Sequence, residues 1–183
     1  WGNMSVRIDE TSFLITPSGI PYEDLQRNTL VAVRTGDLGC TGVLKPSSEK
    51  GLHAMIYREK PQVQAIIQTH QTWASSFAAA RKPLKCINGK TVPCAAYALP
   101  TTKALTRAVQ KLIEKADVDS VILANHGALF FAKSMNQAVS LATSLETEAK
   151  NFILKTHAEK AGSDASLEAL LEKFVRRYWR TRT

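Results

Sequence analysis

Four polar side chains stand where chemistry could be done: Glu49, Gln68, His70 and His126. Two imidazoles, a carboxylate and an open position are the kind of donor set that holds a catalytic Zn²⁺. Gln68 and His70 close the apolar run Val63-Gln64-Ala65-Ile66-Ile67-Gln68-Thr69-His70, which follows Pro61. Its β-branched and apolar residues, with no Gly or Pro, predict a buried strand. Side chains alternate along a strand, so Gln68 and His70 project to one face and Thr69 to the other. A histidine at position 68 would complete a pair of metal ligands on one strand, but the residue there is Gln. Spacing alone also leaves the plainer reading open, in which these histidines are packed, hydrogen-bonded core groups.

The elements that must position these residues alternate along the chain. Met4 to Ile8 and Ser12 to Ile15 predict a hairpin, and Thr16-Pro17-Ser18-Gly19-Ile20-Pro21 a structured loop. Gly2-Asn3 and Ser18-Gly19 thus fall at opposite ends of one hairpin segment. Small-residue loops of this kind let backbone N–H groups approach an anion, though turn chemistry alone also explains them. Tyr22 to Arg27 predicts a helical turn, Leu30 to Val33 a strand, and Thr35 to Leu44 a connector. Lys45-Pro46-Ser47-Ser48-Glu49 opens a helix to about Lys60, with Ser47 as its N-cap and Leu52, Met55 and Ile56 on one apolar face. Such a helix start suits a phosphate, and Glu49 there is also favoured by the helix dipole in any protein. His53, one turn on, is expected to pack or hydrogen-bond.

Thr72 to Ala80 predicts a helix, Arg81 to Lys90 a loop, and Val92 to Tyr97 an edge or irregular strand because of Pro93. Thr101 or Thr102 caps a helix to about Ala116. Ser120 to Ala124 and Ala128 to Ala132 form a second hairpin interrupted by Asn125-His126-Gly127. Ser134 or Asn136 starts a long helix to roughly Glu159, with Ala138, Leu141, Ala142, Leu145 and Ala149 as its core stripe. A last amphipathic helix with a basic end is expected over Ser166 to Trp179. Strands mix with helices without a regular βαβ period, which predicts an α/β or α+β layer arrangement with a largely antiparallel sheet.

Composition bounds the function classes. The 183 residues, 44% hydrophobic and 22% charged, fit one folded domain spanning the chain and argue against disorder. No apolar run approaches the roughly 20 residues that span a bilayer. Cys40, Cys86 and Cys94 are odd in number and form no Cys-x-x-Cys motif, which points to free thiols in a reducing cytoplasm. The net charge of +8 raises a nucleic-acid reading. Much of the excess sits in Arg176, Arg177, Arg180 and Arg182, however, and few aromatics are interleaved with the rest. A solvated basic surface, or one that attracts anionic metabolites, accounts for it as well.

Six segments in order carry a resemblance. They are Gly2-Asn3-Met4-Ser5-Val6-Arg7, Leu14-Ile15-Thr16-Pro17-Ser18-Gly19-Ile20-Pro21-Tyr22, Lys45-Pro46-Ser47-Ser48-Glu49, Ile67-Gln68-Thr69-His70, Pro93-Cys94-Ala95-Ala96-Tyr97-Ala98 and Asn125-His126-Gly127. Together they resemble the successive motifs of the class II aldolase/adducin family, most of all its L-fuculose-1-phosphate aldolase branch, from Gly2 to about Phe152. The resemblance implies a three-layer αβα fold around a mostly antiparallel sheet and a cyclic homotetramer with sites at subunit contacts. It also implies a Zn²⁺ enzyme acting on a phosphorylated ketose. Gly2, Asn3, Ser18, Gly19, Ser47 and Ser48 match the family's phosphate pocket. Glu49 matches the acid/base carboxylate that can also reach the metal, and His70 and His126 match two of three histidine ligands.

The departures are equally specific. Gln68 falls where the family's first histidine ligand does, and a neutral amide oxygen is a weaker zinc ligand than imidazole, which leaves Mg²⁺ or Mn²⁺ as alternatives. Thr101 stands where a glycine is usual in the relatives. The stretch between Arg81 and Val92 is shorter than theirs, and their leading helix is absent before Trp1. Two functions follow from the resemblance: a metal-dependent aldolase-type lyase, or a sister epimerase or decarboxylase, and a metal-free binding or scaffold module of the adducin kind.

Overall fold

A computed structural model describes residues 2–161; the helix expected over Ser166 to Trp179 and the basic tail lie outside the described residues. The sheet is built around the apolar run that carries Gln68. This strand, β5 (Ala65–Thr69), has β1 (Gly2–Arg7) antiparallel on one side and β10 (Gly127–Ala132) antiparallel on the other. The remaining strands are β2 (Ser12–Ile15), β3 (Val31–Arg34), β4 (Cys40–Thr41), β8 (Cys94–Ala95) and β9 (Ser120–Leu123). They complete an eight-stranded sheet in the order β4-β3-β2-β1-β5-β10-β9-β8. Only β8 and β9 pair in parallel.

Alternation along the strands sends side chains into two helical layers. Ile66, Leu129 and Phe131 pack with Leu52, Met55 and Ile56 of α1 (Lys50–Glu59) and with Leu105, Val109 and Ile113 of α3 (Lys103–Lys115). Ala128 and Phe130 face the opposite way, against Phe77 of α2 (Thr72–Ala80) and Leu145 of α4 (Met135–Ala161). Ala65, Ile67 and Ala132 meet Ala138 of α4 on that same face. The result is the expected three-layer αβα arrangement, with Gln68 in phase with Ile66 and so on the α1 face.

The loops depart from the sequence expectation where elements are very short. The connector Thr35 to Leu44 contains β4, and the loop Arg81 to Lys90 contains β6 (Leu84–Lys85), which pairs with β7 (Thr91–Val92). Two-residue strands have too little alternation to show in a sequence. The strand expected over Val92 to Tyr97 is broken at Pro93, leaving β7 and the edge strand β8 on either side. Gly2 and Asn3 are not a separate loop but the first residues of β1. Antiparallel pairing of β1 with β2 folds the two ends of that hairpin segment together, so Gly2-Asn3 and Ser18-Gly19 come to its one open end. The helix start also shifts: Glu49, not Ser47, is the N-cap of α1, and Ser47 Oγ accepts from the Glu49 N–H at 3.3 Å.

Two glycines set how closely β5 is held at its functional end. A Cβ on Gly2 would lie 2.1 Å from the Gln68 carbonyl oxygen, and one on Gly127 would lie 2.2 Å from the Thr69 carbonyl oxygen. Neither backbone atom can yield without breaking the ladder. Gly127→Ala should therefore lower folding stability by about 1–3 kcal/mol, as overpacking of a tight site does, measurable as a reduced urea midpoint with an unchanged slope.

Candidate functional site

Each site residue is held by a local device. Gln68 lies opposite Asn3 in the β1–β5 register and opposite Leu129 in the β5–β10 register, and is 3% exposed. His70 follows the last β5 residue. Its neighbours anchor it: Thr69 Oγ1 bonds Gln71 Oε1 at 3.0 Å, and Gln71 Nε2 donates to the Ala142 carbonyl at 3.0 Å. Immediately beyond, the Glu146 carboxylate of α4 accepts from the Trp73 and Ala74 N–H groups, each at 2.9 Å, satisfying the start of α2.

His126 sits in the tight turn between β9 and β10. Asn125 beside it takes a left-handed conformation with φ 55, as Asn tolerates, and its N–H donates to the Ala78 carbonyl at 2.8 Å. The His126 N–H closes the turn on the Leu123 carbonyl at 2.9 Å. The rings of His70 and His126 then approach to 5.2 Å between centroids. His53 does not join them. It is fully buried on α1, bonded through Nδ1 to Ser5 Oγ at 2.7 Å, and burial pushes its pKa down to about 3, so the ring is neutral.

These residues open onto one cavity of about 720 Å³. Gly2, Asn3, Ser18, Gly19, Ser47, Ser48, Glu49, Gln68, His70 and His126 all line it, so the structure gathers every candidate residue of the sequence around one space. The Glu49 and Lys50 N–H groups, however, are turned back on Ser47 Oγ and on the Ser47 carbonyl. An anion at this helix start would therefore meet the serine hydroxyls more than those two amides. No Lys or Arg lines the cavity among the described residues.

Thr101 is the lining residue whose role the sequence did not show. Its N–H donates to Glu49 Oε1 at 2.7 Å, and it adopts φ 68, a conformation strained for a β-branched residue. Only its position beside the helix cap at Thr102 hinted at special backbone geometry. Thr102 supplies the α3 cap, accepting from the Leu105 N–H at 3.3 Å.

Electrostatics follow from burial. Desolvation raises the Glu49 pKa, with the Thr101 N–H opposing it. Desolvation lowers the pKa of both His70 and His126, and for His70 the neighbouring His126 adds to the effect. The cavity thus combines two imidazoles that favour the neutral form with a carboxyl that protonates more readily than usual.

The side chains present do not fit a zinc ion held by three strong donors. Among the described residues, no three His, Cys, Asp or Glu side chains converge as a metal-holding group. Gln68 is already committed, with Oε1 3.3 Å from Asn3 Nδ2 and Nε2 3.0 Å from His126 Nε2. Glu49 turns Oε1 to Thr101 rather than to the imidazoles.

The fold has known relatives. A family model described as the class II aldolase and adducin N-terminal domain matches residues 1–153. An L-fuculose phosphate aldolase of Escherichia coli O6:H1 is 29% identical, the match covering 94% of this chain and 83% of that protein. A 5-methylthioribulose-1-phosphate/5-deoxyribulose-1-phosphate aldolase of Rhodospirillum rubrum is 30% identical, over 94% of this chain and 80% of its own. Among solved structures, an L-fuculose 1-phosphate aldolase superposes with a TM-score of 0.78 at 32% identity, covering 94% of this chain and 85% of its own.

The Glu49 shift has a consequence for stability. Its folded pKa lies above the unfolded value near 4.5, so the native state binds the extra proton. Between those two values stability falls as pH rises, because the native state must ionise a buried carboxyl. Glu49→Gln removes this cost. The variant should gain stability relative to the native chain as pH is raised upward from 4.5, read from denaturant midpoints across pH.

Proposed function

The chain belongs to the class II aldolase and adducin family, and from that premise we propose that it is an aldolase-type lyase acting on a phosphorylated ketose. The observation that carries this reading is a single cavity joining Ser47 and Ser48, at the start of α1, to the buried Glu49 carboxyl and the His70–His126 pair. The phosphate goes to the end of the cavity formed by Gly2, Asn3, Ser18, Gly19, Ser47 and Ser48, where hydroxyls and backbone dipoles suit an anion. Anchoring the phosphate holds the sugar carbons beside Glu49, so that proton transfer becomes effectively intramolecular.

Aldol cleavage breaks the bond between the α carbon of the ketose, next to its carbonyl, and the hydroxyl-bearing β carbon. One product leaves as an aldehyde, and the electron pair stays on the carbonyl fragment. A hydroxyl proton must be removed and a carbon protonated in its place. Glu49 is the group for that exchange: its raised pKa brings it closer to neutral pH, where an acid/base carboxyl works best. His70, whose neutral form burial favours, lines the same cavity. The resemblance further implies a cyclic homotetramer and a Zn²⁺ ion, Gln68 leaves Mg²⁺ or Mn²⁺ as alternatives, and the free thiols point to the cytoplasm.

A second reading is a sugar-phosphate binding module without turnover, and the bond between Gln68 and His126 favours it by occupying a position that would otherwise ligate. Solvent exchange separates the two. In D₂O the lyase reading predicts deuterium at the carbon next to the carbonyl of the phosphorylated ketone product, followed by NMR. Glu49→Gln should slow that exchange by at least about 100-fold while sugar-phosphate binding persists. A native chain that binds the sugar phosphate yet neither exchanges nor cleaves it is the binding module.

A further inference from the structure

We infer that in this chain a hydrogen-bonded unit, Asn3–Gln68–His126, takes the place of a metal ion, so that the cavity holds its sugar phosphate without a divalent cation. The inference takes the phosphorylated ketose from the reading above. The closure of the metal position stands on geometry alone.

Amide oxygen and nitrogen exchange places by a half-turn of the side chain, so the observed contacts allow two hydrogen patterns. In the first, Asn3 Nδ2 donates to Gln68 Oε1 at 3.3 Å, and Gln68 Nε2 donates to the lone pair of His126 Nε2 at 3.0 Å. In the second, both amides are turned. Gln68 then donates to Asn3, and the His126 Nε2–H donates to Gln68. A cation needs the Nε2 lone pair. The first pattern spends it on an N–H, and in the second the nitrogen carries a proton. Neither leaves it free.

The ring's other nitrogen, His126 Nδ1, has no hydrogen-bond partner but is buried away from the cavity's open space, so it does not present its lone pair there. Nor can Gln68 swing aside easily. It is 3% exposed, and Asn3, its cross-strand partner, is 7% exposed. Moving the amide away would strand polar groups in a buried place. The backbones on either side are also fixed, since Gly2 and Gly127 press against the carbonyls of Gln68 and Thr69. His70 is then left as a lone imidazole, which is no metal site. Gln68 thereby selects against a metal at this position, and a bound sugar meets neutral hydrogen-bonding groups there.

The test titrates zinc chloride into the metal-stripped full chain by calorimetry, with ¹⁵N-histidine spectra recorded along the series. In the native chain the His126 Nε2 resonance should not move with zinc. Gln68→His should gain one zinc per chain, bound about 100-fold more tightly than by the native protein. Gln68→Glu, nearly identical in size, should gain zinc as well and carries the test if the imidazole is not tolerated in the fold. Zinc that shifts His126 Nε2 in the native chain overturns the inference, as does a folded variant of either kind that gains none. A phosphorylated ketose is titrated in parallel with and without EDTA, and equal affinity is expected. An affinity about tenfold or more weaker in EDTA overturns the inference but keeps the sugar-phosphate reading. Absence of binding in both conditions overturns that reading, and the zinc titration then decides the inference by itself.

Discussion

Everything in the site depends on how tightly β5 is clamped between β1 and β10. Backbone hydrogen bonds alone would allow ordinary strand spacing with side chains on every residue. Here Gly2 and Gly127 remove the Cβ atoms that would strike the carbonyls of Gln68 and Thr69. The consequence reaches past the ladder. Asn3 is brought opposite Gln68, and His126, one residue before Gly127, comes beside both Gln68 and His70. A substituted β1 or β10 would sit farther out, and the three polar side chains would lose one another.

That clamp also shapes the chemistry. A cavity with three imidazoles would be arranged for a cation. With an amide in the third position it becomes a neutral, hydrogen-bonded wall facing a carboxyl of raised pKa. Thr101 contributes at a cost, because its left-handed backbone is strained yet aims the N–H that fixes Glu49. Strain held at the residue whose N–H bonds the Glu49 carboxyl fits a site that needs that group in one place. Glu23 and Glu49 are the charged residues of the described lining, so a phosphate there would rest on the serine hydroxyls.

Much of this was legible in the sequence, for physical reasons that can be named. The run ending in Gln68, Thr69 and His70 showed a buried strand because, after Gln64, the residues Ala65, Ile66 and Ile67 are unbroken by polar ones until its tip. The stripe of Ala138, Ala142, Leu145 and Ala149 showed α4 because helical spacing is sustained over several turns, and all four are buried. The candidate residues could be named one by one, and the structure gathers them around one space. What the sequence could not show lies in pairing and hydrogen-bond direction. The strands β4 and β6 have two residues each, and only their partners make them strands. Ser47 looked like the helix cap because its residue type suits that role, whereas the backbone of Glu49 takes it. The union of Asn3, Gln68 and His126 joins residues 65 and 58 positions apart, and no local pattern announces it.

The central claim is that one cavity receives a phosphorylated ketose, with its phosphate by the serines and its reacting carbons by Glu49. A crystal structure of the chain soaked with such a sugar tests it directly. The account predicts phosphate oxygens within hydrogen-bond distance of Ser47 or Ser48, and a sugar carbon or hydroxyl within about 3.5 Å of the Glu49 carboxyl. A phosphate seated elsewhere, or a sugar lying away from Glu49, would contradict it.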